Sequence, residues 1–256
     1  MIKIIVCGAM GKMGKSIVDV VINDSKTELI GAIEAAGHGS MGNVMDGNVK
    51  LTDNLEAIIG KADVIIDFTS PQSSLGYMEL AGRLKKPIVI GTTGFSHSQQ
   101  EQIEKIAASI PCVLAPNMSI GMNLLFKMAG DMARTLTGYD IEIVEIHHNK
   151  KKDAPSGTAK KLAEKLLEAR KAGSLIYGRE GDSALRKENE IGVHAVRAGD
   201  VVGDHTVIFA GDGERLEVVH RAHSRECLAR GAVRAAKWVV SKPAGLYDMN
   251  DVLGLK

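Results

Sequence analysis

Residues 147–158 read His147-His148-Asn149-Lys150-Lys151-Lys152-Asp153-Ala154-Pro155-Ser156-Gly157-Thr158 and place three kinds of anion-handling chemistry side by side. Imidazoles move protons near neutral pH. A run of ammonium groups follows, and Pro-Ser-Gly-Thr can start a helix whose first N–H groups point at a bound carboxylate. Together they describe a dicarboxylate site. His147 and His148 are consecutive on what reads as a strand, so their side chains should oppose unless the strand ends between them. A histidine by itself is more often a structural hydrogen-bonding group, and it is Lys151 with the helix start that favours chemistry here. Lys150 and Lys152 read as solvated. Zinc is the rival use of paired histidines, but no third ligand stands at helical or hairpin spacing and adjacent cations oppose a divalent metal.

A second chemical signal lies near the N-terminus. Gly8-Ala9-Met10-Gly11-Lys12-Met13-Gly14 follows an apolar run, 2–7, and opens a helical pattern, the context of a dinucleotide loop. Its spacing is GxxGxxG rather than the usual GxGxxG. Glu34 stands twenty residues past Gly14, at the expected end of a second strand, where a carboxylate can accept from the adenosine ribose hydroxyls. A 2′-phosphate would meet like charge there, and Ala35-Ala36 bring no guanidinium, although Lys12 could reach over. NADH is therefore expected with residual NADPH tolerance; an exposed Glu at a strand end is the plain alternative. Asp67-Phe68-Thr69-Ser70-Pro71 and Gly91-Thr92-Thr93-Gly94-Phe95 also follow expected strands, at the edge where open α/β sheets bind ligands. Downstream, Arg225 is a candidate carboxylate clamp or equally a surface ion-pair partner.

The elements that must position these residues follow from periodicity. Short β-branched runs at 2–7, 29–34, 64–67, 88–90 and 112–114 alternate with amphipathic stretches, which predicts βα units and a parallel sheet buried on both faces. Ser70-Pro71 marks one helix start, and Ser96 starts another that runs toward Ser109. After Asn117 the pattern changes. A helix over 120–136, a one-sided strand over 140–147, a helix over 156–172, strands at 191–197, 206–210 and 216–220, and a helix over 231–240 predict a second, mixed-sheet domain. The pattern does not say which domain the last helix joins.

Composition narrows the class. The 256 residues carry 32 Lys+Arg against 31 Asp+Glu, a formal net charge of +1, so no global field draws the chain to nucleic acid or an anionic membrane. The Lys run lacks the aromatic interleaving of a nucleic-acid surface. Cys7, Cys112 and Cys227 are odd in number and outside any CxxC pattern, which fits a reducing compartment, and neither a signal peptide nor a membrane span is legible. A cytoplasmic protein is expected. An acylating semialdehyde dehydrogenase would need a poised cysteine, whereas Cys112 falls inside a strand and Cys227 near a helix start. A non-catalytic NADH sensor would leave the His-Lys block without a purpose.

These residues resemble the 4-hydroxy-tetrahydrodipicolinate reductase family, also called dihydrodipicolinate reductases. The resemblance spans the chain: residues 8–14, 67–70, 91–94, Ala115-Pro116-Asn117-Met118-Ser119, the 147–158 block, 197–206 and the closing Gly245-Leu246-Tyr247-Asp248-Met249. It implies an α/β fold, with a Rossmann-like dinucleotide domain over 1–118 and 225–256 and a mixed-sheet substrate and tetramerisation domain over 119–224. It implies NAD(P)H-dependent reduction of a cyclic dicarboxylate, with loss of water, in diaminopimelate and lysine biosynthesis by a homotetramer. His147 would be the acid/base and Lys151 a proton donor, with His148, Lys151, Ser156, Gly157, Thr158 and Arg225 on the substrate. Gly8, Ala9, Met10, Gly11, Lys12, Met13, Gly14, Glu34, Phe68, Thr69, Gly91, Thr92, Thr93, Ala115, Pro116, Asn117 and Met118 would meet the dinucleotide. In that family the residue after the ribose-binding acid is often Arg, and Ala35 replaces it here.

Overall fold

A computed structural model describes residues 1–45, 48–171, 173–182 and 184–255. The chain divides into two compact units, Met1–Ile120 with Arg225–Lys256, and Gly121–Ser224. Lys256, which the sequence reading placed at the end of the first domain, lies outside the described residues.

The first unit is a sheet with helices on both faces. Its elements are β1 (Ile2–Cys7), α1 (Lys12–Asn23), β2 (Thr27–Ile33), β3 (Val44–Met45), β4 (Val49–Thr52), β5 (Val64–Asp67), α2 (Pro71–Arg83), β6 (Ile88–Ile90), α3 (His97–Ala107) and β7 (Pro111–Leu114). From the far end of the chain come α6 (Glu226–Val239), β13 (Gly245–Tyr247) and α7 (Met249–Leu253). The strand order is β13-β7-β6-β5-β1-β2-β4-β3. All neighbours run parallel except β3 against β4. Alternation along β1 sends Ile4 and Val6 into a core with Val18 and Val21 of α1 and Ala232 and Ala236 of α6, while Ile5 and Cys7 meet Met78 of α2 and Ile103 of α3. That two-sided burial is why the strands read as unbroken apolar runs. It also settles the allegiance of α6, which packs beside α1 and buries Ala229, Ala232, Ala235, Ala236 and Val239. Ser70 caps α2 through the Ser73 amide, and Ser96 with Gln99 forms a capping box on α3.

The second unit holds α4 (Ile120–Thr135, its first residue in the first unit), β8 (Asp140–His147), α5 (Gly157–Arg170), β9 (Ser174–Ile176), β10 (Glu190–Arg197), β11 (Gly203–Gly211) and β12 (Glu214–Ala222). The sheet order is β12-β11-β8-β10-β9, parallel from β8 through β10 to β9 and antiparallel across β11. Helices α4 and α5 pack one face, where Met122, Leu125, Leu162 and Leu166 meet Ile141, Ile143, Val193, Val207 and Phe209.

Differences from the sequence reading are at element edges and in short elements. β2 ends at Ile33, one residue before Glu34, and α6 starts at Glu226, five residues earlier than expected, with Ala229 of its first turn already buried in the core. β3, β9 and β13 are two or three residues long, too short for a periodic signal. β4, only four residues, was also missed. The end expected for α5 at Ala172 lies outside the described residues; the helix closes at Arg170 with Lys171 left-handed.

Candidate functional site

In the first unit, β1 ends at Cys7 and the chain turns at Gly8, whose φ of 77° is left-handed and whose Cβ would sit 2.6 Å from the Phe68 carbonyl oxygen. A Cβ on Gly14 would lie 1.9 Å from the Gly8 carbonyl oxygen, so α1 starts hard against the end of β1. Much of the loop's hydrogen bonding goes into folding it. Gly8 and Ala9 donate N–H to the Ile33 carbonyl at 2.9 and 3.1 Å, and Gly11 donates to the Gly8 carbonyl at 3.0 Å. Met10 donates to Glu34 Oε2 at 3.0 Å. The amides that α1 cannot use within itself are those of its first turn, Lys12, Met13 and Gly14. Gly11 caps them with no side-chain bond and no acidic side chain stands in that turn, which leaves a backbone cradle suited to a pyrophosphate.

Glu34 is half-buried and tied to the loop, with its other oxygen accepting from the Ala35 amide at 3.0 Å. Phe68 stacks over the next glycine: a Cβ on Gly91 would lie 2.1 Å from the Phe68 ring. The Thr69 amide donates to Thr92 Oγ1 at 2.9 Å, joining the turns after β5 and β6. The Ala115 amide donates to the Ile90 carbonyl at 3.1 Å. Ala115 and Met118 are buried, Pro116 and Thr93 exposed, and Asn117 accepts the Ser119 amide at 2.9 Å. The cofactor residues expected from the sequence thus occupy one unit, along the carboxyl ends of β1, β2, β5, β6 and β7. Beneath them sits Asp67, fully buried, which the sequence reading named in a turn and gave no role. Burial pushes its carboxyl up to about 6, against bonds from Ser74, Thr69 and Thr92 that pull it back.

In the second unit the chemistry gathers where β8 ends. The strand stops at His147, so the opposition expected of consecutive strand residues does not apply to His148, which begins the following turn. His147 Nδ1 lies 2.6 Å from Glu145 Oε2. Glu145 is fully buried and accepts bidentately from Arg197, Nη1 and Nη2 each at 2.9 Å. Its Oε1 also accepts the Ser156 amide at 2.9 Å. Burial alone would raise this carboxyl, but the Arg197, His147 and Ser156 bonds outweigh it and hold it below the usual range. An ionised Glu145 makes Nδ1 the donor and leaves His147 Nε2 as the site that exchanges a proton. Gly203 keeps that nitrogen uncrowded, since a Cβ there would lie 3.0 Å from it.

Ser156 caps α5 through the Ala159 amide at 3.1 Å and lies 3.2 Å from His205 Nε2. His205 packs edge-on to His147 with ring centroids 5.3 Å apart, and burial lowers its pKa to about 4. Gly157 and Thr158 are the first two residues of α5, and a Cβ at Gly157 would meet open space. Lys151 is partly buried, its Nζ 2.8 Å from Asp153 Oδ1, whereas Lys150 and Lys152 are exposed. The structure therefore places His147 at the end of β8, His148 and Lys151 in the loop that follows it, and Ser156, Gly157 and Thr158 at the start of α5. Arg225 is not among them: it precedes α6, is exposed, and belongs to the first unit. Sequence reasoning gave Glu145 and His205 no role, and ended a strand correctly at Arg197 without assigning that residue to the site. Their signal was a charged or imidazole residue on the core-facing parity of each strand, at 145, 197 and 205.

Among the described residues no group of three His, Cys, Asp or Glu could hold a metal ion, and no helix is long and apolar enough to cross a membrane. Cys7 and Cys112 are buried, the latter thiol pushed up to about 12 by burial, which removes both as nucleophiles.

Residues 2–118 match the family model for the dihydrodipicolinate reductase N-terminus, and residues 121–253 that for its C-terminus. The 4-hydroxy-tetrahydrodipicolinate reductase of Geotalea daltonii is 49% identical over 267 aligned residues, covering 100% of both chains. That of Aquifex aeolicus is 48% identical over 264, covering 99% of each. Among solved structures, a dipicolinate-bound dihydrodipicolinate reductase from Paenisporosarcina sp. TG-14 superposes with a TM-score of 0.83 at 28% identity, covering 97% of each chain.

Proposed function

The chain belongs to the dihydrodipicolinate reductase family, and from that premise we infer that it reduces 4-hydroxy-tetrahydrodipicolinate to tetrahydrodipicolinate, with loss of water, on the route to diaminopimelate and lysine. The observation that carries this reading is the end-to-end match at 49% identity. A bound NADH or NADPH supplies the hydride.

The chain's own residues do the rest. The first turn of α1 cradles the pyrophosphate, Glu34 accepts from the adenosine ribose, and the Phe68-Thr69 and Gly91-Thr92-Thr93 turns, with Ala115 to Met118, form the bed for the nicotinamide end. The amides of Gly157 and Thr158 at the start of α5, with Ser156, His148 and Lys151, hold the carboxylates of the substrate, and Arg225 is a candidate carboxylate clamp. Cations and helix dipole there stabilise the negative charge that grows on the ring as hydride arrives. His147, aimed by Glu145, or Lys151 then delivers the balancing proton. Glu34 favours NADH over NADPH, because its carboxylate would face a 2′-phosphate and Ala35 brings no compensating charge.

A homotetramer built on the open face of the second unit's sheet is part of the same proposal: Val196 and Val219 are 40% and 43% exposed there, on the side away from α4 and α5. Light scattering checks it. A cytoplasmic location accords with the buried free thiols.

The test is loss of NADH absorbance with freshly condensed pyruvate and aspartate semialdehyde. Turnover, competition by pyridine-2,6-dicarboxylate and a higher kcat/KM with NADH than NADPH are expected. A folded protein that consumes no NADH in this assay overturns the reading.

A further inference from the structure

Asp67 is the last residue of β5, fully buried, and its carboxylate is surrounded by hydroxyls rather than by cations. Thr69 Oγ1 donates to it at 2.6 Å, and Ser74 Oγ donates to its other oxygen. Thr92 Oγ1 lies 3.4 Å from that second oxygen and 2.8 Å from Ser74 Oγ. No Lys or Arg pairs with it among the described residues. An uncompensated buried carboxylate is costly to keep ionised, so its position matters. The strand order reverses around β1, with β2 on one side and β5 then β6 on the other. A dinucleotide laid along that edge puts its adenosine at Glu34 after β2 and its nicotinamide at the turns after β5 and β6. Those are the turns that Asp67 ties together through Thr69 and Thr92.

We propose that Asp67 is a positioning carboxylate whose buried negative charge, set beneath the 68–70 and 91–93 turns, tilts the site toward the oxidised, cationic nicotinamide. The inference rests on the dinucleotide-binding reading and deepens it. The reduced ring is neutral and the oxidised ring carries one positive charge, so a fixed anion discriminates between them. The same field favours the hydride-transfer transition state, in which positive charge is growing on the nicotinamide. Electrostatic discrimination of this kind also explains why hydroxyls and not an arginine satisfy Asp67: a guanidinium would cancel the field.

The test is calorimetric titration of NAD⁺ and NADH, without substrate, into the native protein and Asp67→Asn. Expected is a rise of about tenfold in the ratio of the NAD⁺ to the NADH dissociation constant, the scale of a unit charge acting through protein at an effective dielectric constant of about 20. A purely structural role weakens both ligands alike, and an unchanged ratio overturns the proposal. Should the variant not fold, the native protein decides: lowering pH from 7.5 to 5.5 protonates Asp67, whose carboxyl burial pushes up to about 6, and raises the same ratio. The other ionisable groups facing it are Glu34, Cys7 and Tyr77, of which the last two are raised and stay neutral in this range. Glu34→Gln therefore carries the same titration as a control. A ratio flat with pH, or pH dependence lost in Glu34→Gln, refutes the assignment to Asp67. If neither dinucleotide binds the native protein, the functional reading itself fails.

Discussion

His147 Nδ1 lies 2.6 Å from Glu145 Oε2, and Glu145 is buried with both oxygens also held by Arg197. The pair fixes which imidazole nitrogen is free to exchange a proton, and it does so from a residue two positions earlier on the same strand. Glu145→Gln should lower kcat about 10²-fold, the scale of a positioned acid/base, while leaving dinucleotide affinity unchanged. Steady-state kinetics beside a dinucleotide titration check this; an equal loss in both would make Glu145 structural only.

Lys151→Ala should reduce kcat by about 10²–10³-fold with NADH binding intact. Lys151 is 21% exposed and anchored by Asp153 at 2.8 Å, so its removal leaves no buried charge behind and the fold should persist. Unchanged turnover in a folded variant removes Lys151 from the mechanism.

Arg225 precedes α6 and belongs to the first unit, whereas the other expected substrate residues belong to the second. As a carboxylate clamp, Arg225→Ala should raise KM for the dicarboxylate about tenfold or more, with little effect on KM for NADH. An unchanged KM assigns the residue to the surface.

Gly14→Ala should abolish cofactor binding or folding, because a Cβ there would sit 1.9 Å from the Gly8 carbonyl oxygen and both atoms are fixed by backbone. Gly157→Ala, whose Cβ meets open space, should fold normally. Thermal melts of the two variants side by side make the comparison, and equal melting temperatures would contradict it.

The folded pKa of His205 is lowered to about 4 by burial, with the His147 charge adding to the effect. A histidine depressed in the folded state is protonated first in the unfolded chain, so its contribution to stability is present above about 6.5 and lost as pH falls toward 4. The loss is about 3 kcal/mol for a shift of this size. Asp67 acts in the opposite sense, since a raised carboxyl favours the folded state on acidification. The difference between native protein and His205→Asn in denaturant unfolding across pH 4–7 isolates the His205 contribution; parallel pH curves would disprove it.

Much of this molecule was written locally. The glycine loop after β1, the caps at Ser70 and Ser96, and the run from His147 to Thr158 are each contiguous segments whose chemistry and backbone demands are readable from neighbours in the chain. The parallel sheet was readable too, because burial on both faces removes polar residues from every other position. Three decisions lay beyond such reading. The allegiance of α6 depends on alanines meeting α1 more than 200 residues away in sequence, as in the ion pair of Lys237 with Asp24. The core-facing charge at Glu145 is tolerable only because Arg197, on the adjacent parallel strand, arrives with matching geometry. Asp67 acquires its meaning from Thr92, which follows the strand that pairs beside its own. Sequence sets what each segment can do alone; register between strands decides which polar groups are buried together, and burial decides how their charges behave.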